Sequence, residues 1–159
     1  MRDLVIKDTK IVRNRENRLS VHLARYLFDN GISTYYKLKR GHHEIDMVDP
    51  NSNNPLIIEV KVYKNSRSKT YLLNGIYQLH SYLNNISSQL KITDGYYIIY
   101  RLGGPIYEFP EKIITNRFTI HIILIDIGVS SESGSKQSVP KLINEKEIFT
   151  YLKKNKTNI

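Results

Sequence analysis

Cysteine is absent from this sequence, and acidic residues are scarce beside basic ones. Without cysteine, disulfide bonds and thiolate metal sites are excluded. The five histidines do not follow the His-Glu-x-x-His spacing of zinc hydrolases, so a zinc site is not expected. No apolar run is long enough to span a bilayer, and the first residues lack the apolar segment of a signal peptide. We therefore expect a cytoplasmic protein.

The excess of basic residues points to a class of partner. Lysine and arginine number 24 against 15 acidic residues, which gives a formal net charge of +9. Such a charge favours a polyanion, either nucleic acid or an anionic membrane surface, and does not by itself choose between them. The composition, 40% hydrophobic and 25% charged in 159 residues, is that of an ordinary globular domain. We expect one domain over residues 1–159, with its core at about 15–127.

Residues 44–61 predict two strands joined by a turn. The first strand covers 44–49, the turn is rich in Asn, Pro and Ser, and the second strand begins with Leu56-Ile57-Ile58. Glu59 and Lys61 stand two residues apart on that second strand. Because side chains alternate along a strand, they share one of its faces.

Asp46, on the first of these strands, is expected to lie close to Glu59. Two converging carboxylates are costly unless a cation lies between them, and hard oxygen ligands suit Mg²⁺ or Mn²⁺. Lys61 beside such a metal could hold or deprotonate a water, or steady a phosphate oxygen. The alternative is an ordinary surface ion pair between Glu59 and Lys61 on an edge strand.

An amphipathic helix is predicted over residues 15–30, ended by Asn30-Gly31. Its apolar face is formed by Leu19, Leu23, Tyr26 and Leu27. Extending that face backwards by three residues reaches Glu16. Glu16 could either favour the helix dipole from the first turn or point into the same site as Asp46 and Glu59.

Two basic segments flank the acidic residues. A strand over 32–39 leads into a turn that carries Lys37, Lys39, Arg40, His42 and His43. The loop after the second acidic strand carries Lys64, Arg67 and Lys69. Both segments could be solvated charge runs or a rim that faces phosphates.

The rest of the chain alternates helices and strands. A second helix over 71–90 places Gln78 and Tyr82 four residues apart on one side; the plain alternative is an exposed glutamine and a half-buried tyrosine. Strands are predicted at 95–101 and at 118–127, the latter well buried. A Ser/Gly-rich loop follows at 128–140, and Asn144 to Glu147 resembles a capping box that opens a C-terminal helix to about Lys154.

In this order, these residues resemble a nuclease signature. Asp46 followed by Glu59-Val60-Lys61 is similar to the signature of the PD-(D/E)XK nuclease superfamily, and Gln78-x-x-x-Tyr82 resembles a motif of RecB-like nucleases. A glutamate on the N-terminal helix, here Glu16, resembles many members, including archaeal Holliday-junction resolvases. The resemblance implies an α/β fold with a mixed sheet, a restriction-endonuclease-like α-β-β-β-α-β core with an added C-terminal strand and helix.

The resemblance also implies roles for these residues. The protein would be a Mg²⁺-dependent (or Mn²⁺-dependent) nuclease that hydrolyses phosphodiester bonds, most often of DNA, in defence, recombination, mobile-element processing or as a toxin domain. Metal ligands would be Asp46, Glu59, Glu16 and the Val60 carbonyl, and Lys61 would position or activate water. Gln78 would orient the lysine, a water or the phosphate, Tyr82 would contact DNA, and the basic segments would hold the backbone.

Two other classes of function remain open from the sequence. One is a non-catalytic nucleic-acid-binding or assembly module on the same fold. The other is a basic membrane-surface or protein-interaction domain with an accidental Glu-x-Lys. We expect DNA as the partner and no membrane; a homodimer would suit duplex cleavage, although no segment of the sequence identifies its interface.

Overall fold

The computed structural model of the protein describes residues 15–40, 43–50, 53, 55–64, 69–128 and 139–156. The helices are α1 (Arg15–Asp29), α2 (Lys69–Leu90) and α3 (Glu145–Lys156). The strands are β1 (Tyr35–Arg40), β2 (His43–Asp49), β3 (Leu56–Tyr63), β4 (Asp94–Arg101), β5 (Tyr107–Glu108), β6 (Lys112–Ile114), β7 (Thr119–Asp126) and β8 (Lys141–Leu142).

Six strands form a mixed sheet in the order β1-β2-β3-β4-β7-β6. Strands β3, β4 and β7 run parallel, while β1, β2 and β6 pair antiparallel with their neighbours. Two short strands, β5 and β8, form a separate parallel pair. Strand β3 is therefore an inner strand with a partner on each side.

Helices cover both faces of the sheet. One apolar cluster joins α2 and α3 to one face, and the other joins Leu19 of α1 to the opposite face. Strand β3 contributes to both, with Ile57 and Tyr63 on the α2 side and Ile58 and Val60 on the α1 side. This alternation follows from the two-residue period of a strand, and it places Glu59 and Lys61 on the α2 side with Ile57 and Tyr63.

The helix ends follow the signals in the sequence. Gly31 adopts a left-handed φ of 84°, and the Ile32 amide donates to the Leu27 carbonyl at 2.9 Å, as in a Schellman motif. At the start of α3, the Glu147 amide donates to the Asn144 side-chain oxygen at 2.9 Å. Asn144 is thus the N-cap that the sequence predicts.

The predicted order of helix, three strands, helix and strand is confirmed, and so is the coarser class, α and β elements around a mixed sheet. The short strands β5, β6 and β8 are absent from the prediction because two or three residues are too few to show the alternation of polar and apolar residues. The expectation of a well-buried last strand is wrong for one face of β7, where Ile123 is 43% exposed. Most of the loop predicted at 128–140 lies outside the described residues.

None of the helices in the described part of the chain is long and apolar enough to cross a membrane.

Candidate functional site

The inner strand β3 carries a buried acid and a buried base. Glu59 is 2% exposed and Lys61 8%, and the Lys61 Nζ lies 2.6 Å from Glu59 Oε1. Both side chains face α2. The sequence left open a surface ion pair on an edge strand; that alternative is wrong, since β3 lies inside the sheet and both residues are buried.

The side chain of Asp46 on β2 accepts a backbone hydrogen bond from β3 beyond the point where the two strands are paired. The paired residues run from Asp49 only as far as Met47, opposite Ile58. One step further, the Val60 amide donates to Asp46 Oδ2 at 2.8 Å. Asp46 is 4% exposed, so this bond satisfies a buried amide and anchors the carboxylate beside the Glu59-Lys61 pair.

Lys37 on β1 lies among the acids. Its Nζ is 3.0 Å from Asp46 Oδ1 and 2.9 Å from Glu44 Oε1. The sequence predicts Lys37 as part of a phosphate-facing rim, whereas here its ammonium faces carboxylates. The hairpin register could have revealed this, because Tyr36 pairs with Met47 and Leu38 with Ile45, which leaves Lys37 across from Asp46.

Glu16 reaches the same site from the first turn of α1. Its Oε1 lies 3.6 Å from Lys61 Nζ, and its Oε2 accepts a hydrogen bond from the Tyr71 hydroxyl at 2.8 Å. The interpretation that Glu16 points into the same site as Asp46 and Glu59 therefore agrees with its position. Tyr71 was not predicted from the sequence, since no motif marks the start of α2. Six residues make up what we call the acid-lysine cluster: Glu16, Lys37, Glu44, Asp46, Glu59 and Lys61.

The charge of the buried Glu59 carboxylate is only partly compensated by Lys61. Burial raises the pKa of Glu59 to about 8, and the charges of Asp46 and Glu16 add to the effect while Lys61 partly offsets it. The second carboxylate oxygen, Oε2, is buried and has no hydrogen-bond partner among the described residues. A buried oxygen without a donor is costly, so this atom is a candidate ligand for a cation.

For the two lysines of the cluster, neighbouring carboxylates outweigh the effect of burial on the pKa. Burial acts to lower the pKa of Lys61, but the charges of Glu59 and Glu16 outweigh it and hold the pKa above its ordinary value. Burial likewise acts to lower the pKa of Lys37, and its hydrogen bonds to Glu44 and Asp46 reverse the direction. Both ammonium groups are therefore protonated at neutral pH.

Helix α2 brings Tyr82 to the cluster and leaves Gln78 outside it. Tyr82 is 6% exposed, and its hydroxyl donates to the Glu44 carbonyl at 2.8 Å. Burial, with the charge of Glu59, raises the pKa of Tyr82 to about 12. Gln78 is exposed, and in the described part of the chain no hydrogen bond joins it to Lys61. The roles of Gln78 toward Lys61 and of Tyr82 toward DNA stay predictions.

Of the other predicted nucleic-acid contacts, the structure describes the side chains of Lys64 and Lys69. Lys64 is exposed at the end of β3. Lys69 opens α2 and forms an ion pair with Glu147 of α3. Arg67 and the side chains of Lys39 and Arg40 lie outside the described residues.

The donor chemistry of the cluster fits a hard divalent cation. Carboxylate oxygens are ligands that Mg²⁺ and Mn²⁺ prefer, and Glu59 Oε2 is a buried oxygen to which no described residue donates. Within the described ranges, however, no three acidic or histidine side chains come together as a ready-made metal cage. Lys37 and Lys61 hold carboxylate oxygens of Asp46 and Glu59 instead.

Comparisons of the chain with family models, with curated proteins and with solved structures found no match.

Proposed function

We propose that this protein is a divalent-metal-dependent nuclease whose site is the acid-lysine cluster. One observation carries the proposal: Glu59 and Lys61 are buried together on an inner strand, beside Asp46, and one carboxylate oxygen of Glu59 has no donor among the described residues. Burying three ionisable groups costs stability, so a purely structural role is a poor explanation. Perturbed, buried acid-base groups of this kind are typical of active sites.

The order of elements also supports the proposal. Asp46 lies on the second strand, Glu59 and Lys61 on the third, and Tyr82 on the helix that follows. This arrangement agrees with a restriction-endonuclease-like core, and we infer that fold for the chain. Because the net charge is +9, we propose nucleic acid, and DNA in the first place, as the substrate.

In the proposed reaction, the residues of the site have separate roles. Asp46 and Glu59 would hold Mg²⁺ or Mn²⁺, with Glu16 and the Val60 carbonyl as further ligands. The bound cation would supply Lewis-acid activation of water and neutralise charge on the phosphate. Lys61, protonated and held by Glu59, would donate a hydrogen bond to the attacking water or to a phosphate oxygen.

The test is a cleavage assay on supercoiled and linear plasmid. The purified protein is incubated with Mg²⁺, Mn²⁺ or EDTA, next to Asp46→Ala and Lys61→Ala. We expect cleavage that requires metal and falls by about 100-fold or more in Lys61→Ala, as for loss of a positioned catalytic group. The two plasmid forms separate endonuclease from exonuclease action.

A matched control is Lys112→Ala, which removes an exposed lysine at the far edge of the sheet, on β6. It should cut as fast as the parent. Equal rates for the parent and Lys61→Ala would overturn the site. Salt-sensitive DNA binding by the parent, with no cleavage in either metal, would instead favour a non-catalytic binding module.

A further inference from the structure

The two carboxylate oxygens of Asp46 have different partners. Oδ2 accepts the Val60 amide at 2.8 Å inside the sheet, where a shift would leave a buried amide unpaired. Oδ1 lies outside that ladder, and the Lys37 ammonium lies 3.0 Å from it. A cation of the protein itself is thus bound at the oxygen of Asp46 that the ladder does not hold in place.

The backbone at Lys37 is arranged for this contact. Its φ is +56°, in the left-handed region that residues with a Cβ rarely adopt. The neighbouring residues Tyr36 and Leu38 stay in register with β2, so the irregularity is confined to one position. Strained backbone of this kind persists where surrounding contacts determine it, often at functional sites.

The environment of Lys37 differs from that of Lys61. The Lys61 side chain is 10% exposed and is held between Glu59 and Glu16. The Lys37 side chain is 24% exposed, and its second partner, Glu44, is 43% exposed. Lys37 is therefore the cation that can leave the cluster toward solvent, while Lys61 is enclosed.

We propose that Lys37 is an internal counter-cation that competes with the divalent metal for Asp46 and must be displaced before the metal binds. This inference rests on the proposed function, since it concerns the same site. Without a cation at Oδ1, the charge of the buried Asp46 would lie beside Glu59 without the counter-ion that Lys37 supplies, at a large cost. In the absence of metal, the Lys37 ammonium is the counter-ion of Asp46. Metal therefore binds only at a concentration high enough to displace it.

The experiment measures metal affinity, with no substrate present. Purified protein freed of metal with a chelating resin is titrated with Mg²⁺ by calorimetry and with Mn²⁺ by electron paramagnetic resonance. In Lys37→Met, which keeps the length and removes the charge, both metals should bind at least about tenfold more tightly, because no ion pair has to be broken. Lys37→Arg should bind metal as weakly as the parent, since it keeps a cation at Asp46.

Two further variants keep the result interpretable. Lys112→Met removes the same charge from β6 and should leave metal affinity unchanged, which separates a local effect from net charge. Lys37→Gly also removes the cation and relieves the left-handed strain, so it provides a folded protein if Lys37→Met unfolds. Thermal denaturation in EDTA reports folding of each variant.

The outcomes separate this inference from the proposed function. If the parent binds metal and Lys37→Met and Lys37→Gly bind it equally or more weakly, the competition is overturned while the metal site stands. If the Lys37 variants bind metal and the parent does not, the competition is supported in its strongest form. If no variant binds either metal, both the metal-dependent function and the competition are overturned.

Discussion

At the scale of single residues, the strongest constraint lies on Glu59. Its carboxylate is buried on an inner strand and paired through one oxygen with Lys61, while the other oxygen has no donor in the part of the chain that the structure describes. Burial of such a carboxyl group costs less free energy when the group is protonated than when it is charged. The stability of the protein should therefore depend on pH through this residue.

The direction of that dependence follows from the pKa. Burial raises the pKa of Glu59 from an ordinary 4.5 to about 8, so the folded state retains a proton that the unfolded state has lost. The associated stability is fully present below about pH 4.5 and is lost as the pH rises through about 8. Denaturation in EDTA between about pH 5 and about pH 8.5 should show this loss, and Glu59→Gln should show a flatter profile.

A control for this measurement is Glu108→Gln, which changes an exposed glutamate on β5. Its stability profile should run parallel to that of the parent. Parallel profiles for the parent and Glu59→Gln would show that Glu59 is not the group responsible.

At the scale of elements, the packing of α2 on β4 decides how closely the helix approaches the site strand. Gly75 of α2 lies against the ring of Tyr97, whose hydroxyl donates to the Leu72 carbonyl at 2.8 Å. A Cβ added at Gly75 would lie only 2.6 Å from ring atoms of Tyr97. The same helix supplies Tyr71 and Tyr82 to the acid-lysine cluster, so its position matters for the site.

Gly75→Ala should therefore destabilise the protein. In an open helix this change gains about 1 kcal/mol, but here the clash with a buried ring should cost about 1–3 kcal/mol overall. Urea denaturation followed by circular dichroism measures the free energy of unfolding. Asn85→Ala, at an exposed position of the same helix, is the control and should change stability little. A gain in stability for Gly75→Ala would contradict the tight contact.

At the scale of the whole molecule, the excess of positive charge favours binding of the nucleic-acid substrate that we propose. With a net charge of +9, binding to DNA should be driven largely by release of counterions from phosphates. Within the described part of the chain, lysine and arginine residues lie on several elements, and Lys64 stands exposed directly after β3. Affinity should thus depend on salt more than on base sequence.

Binding of a duplex oligonucleotide in EDTA should weaken at least about tenfold between about 50 and about 200 mM NaCl. Fluorescence anisotropy at a series of salt concentrations gives the slope. Lys64→Gln should lower the slope by about one unit if this lysine contacts a phosphate, whereas Lys112→Gln at the opposite edge should not. Affinity that is independent of salt would contradict nucleic-acid binding through the basic residues.

Local signals in the sequence predicted the helices and long strands well. Asn30-Gly31 ends α1 and Asn144 caps α3 because these residues act on the backbone beside them. The shared face of Glu59 and Lys61 followed from the strand period. Strands β5, β6 and β8 escaped prediction because two or three residues are too few to show a period, and because β5 pairs with β8 far along the chain.

The residue types and spacing of the candidate site, Asp46 with Glu59 and Lys61, are thus properties of the sequence by itself. Only the tertiary structure decided which charges meet. Lys37, which pairs with Asp46, has a left-handed backbone within a hairpin. The hydrogen bond from Tyr71 to Glu16 joins residues 55 positions apart, on two different helices. Burial of Glu59, which shifts its pKa, exists only when helices close both faces of the sheet. The spacing of residues along the sequence predicts which side chains share a face of one helix or strand. Burial and ion pairing arise from contacts between elements that come together only on folding.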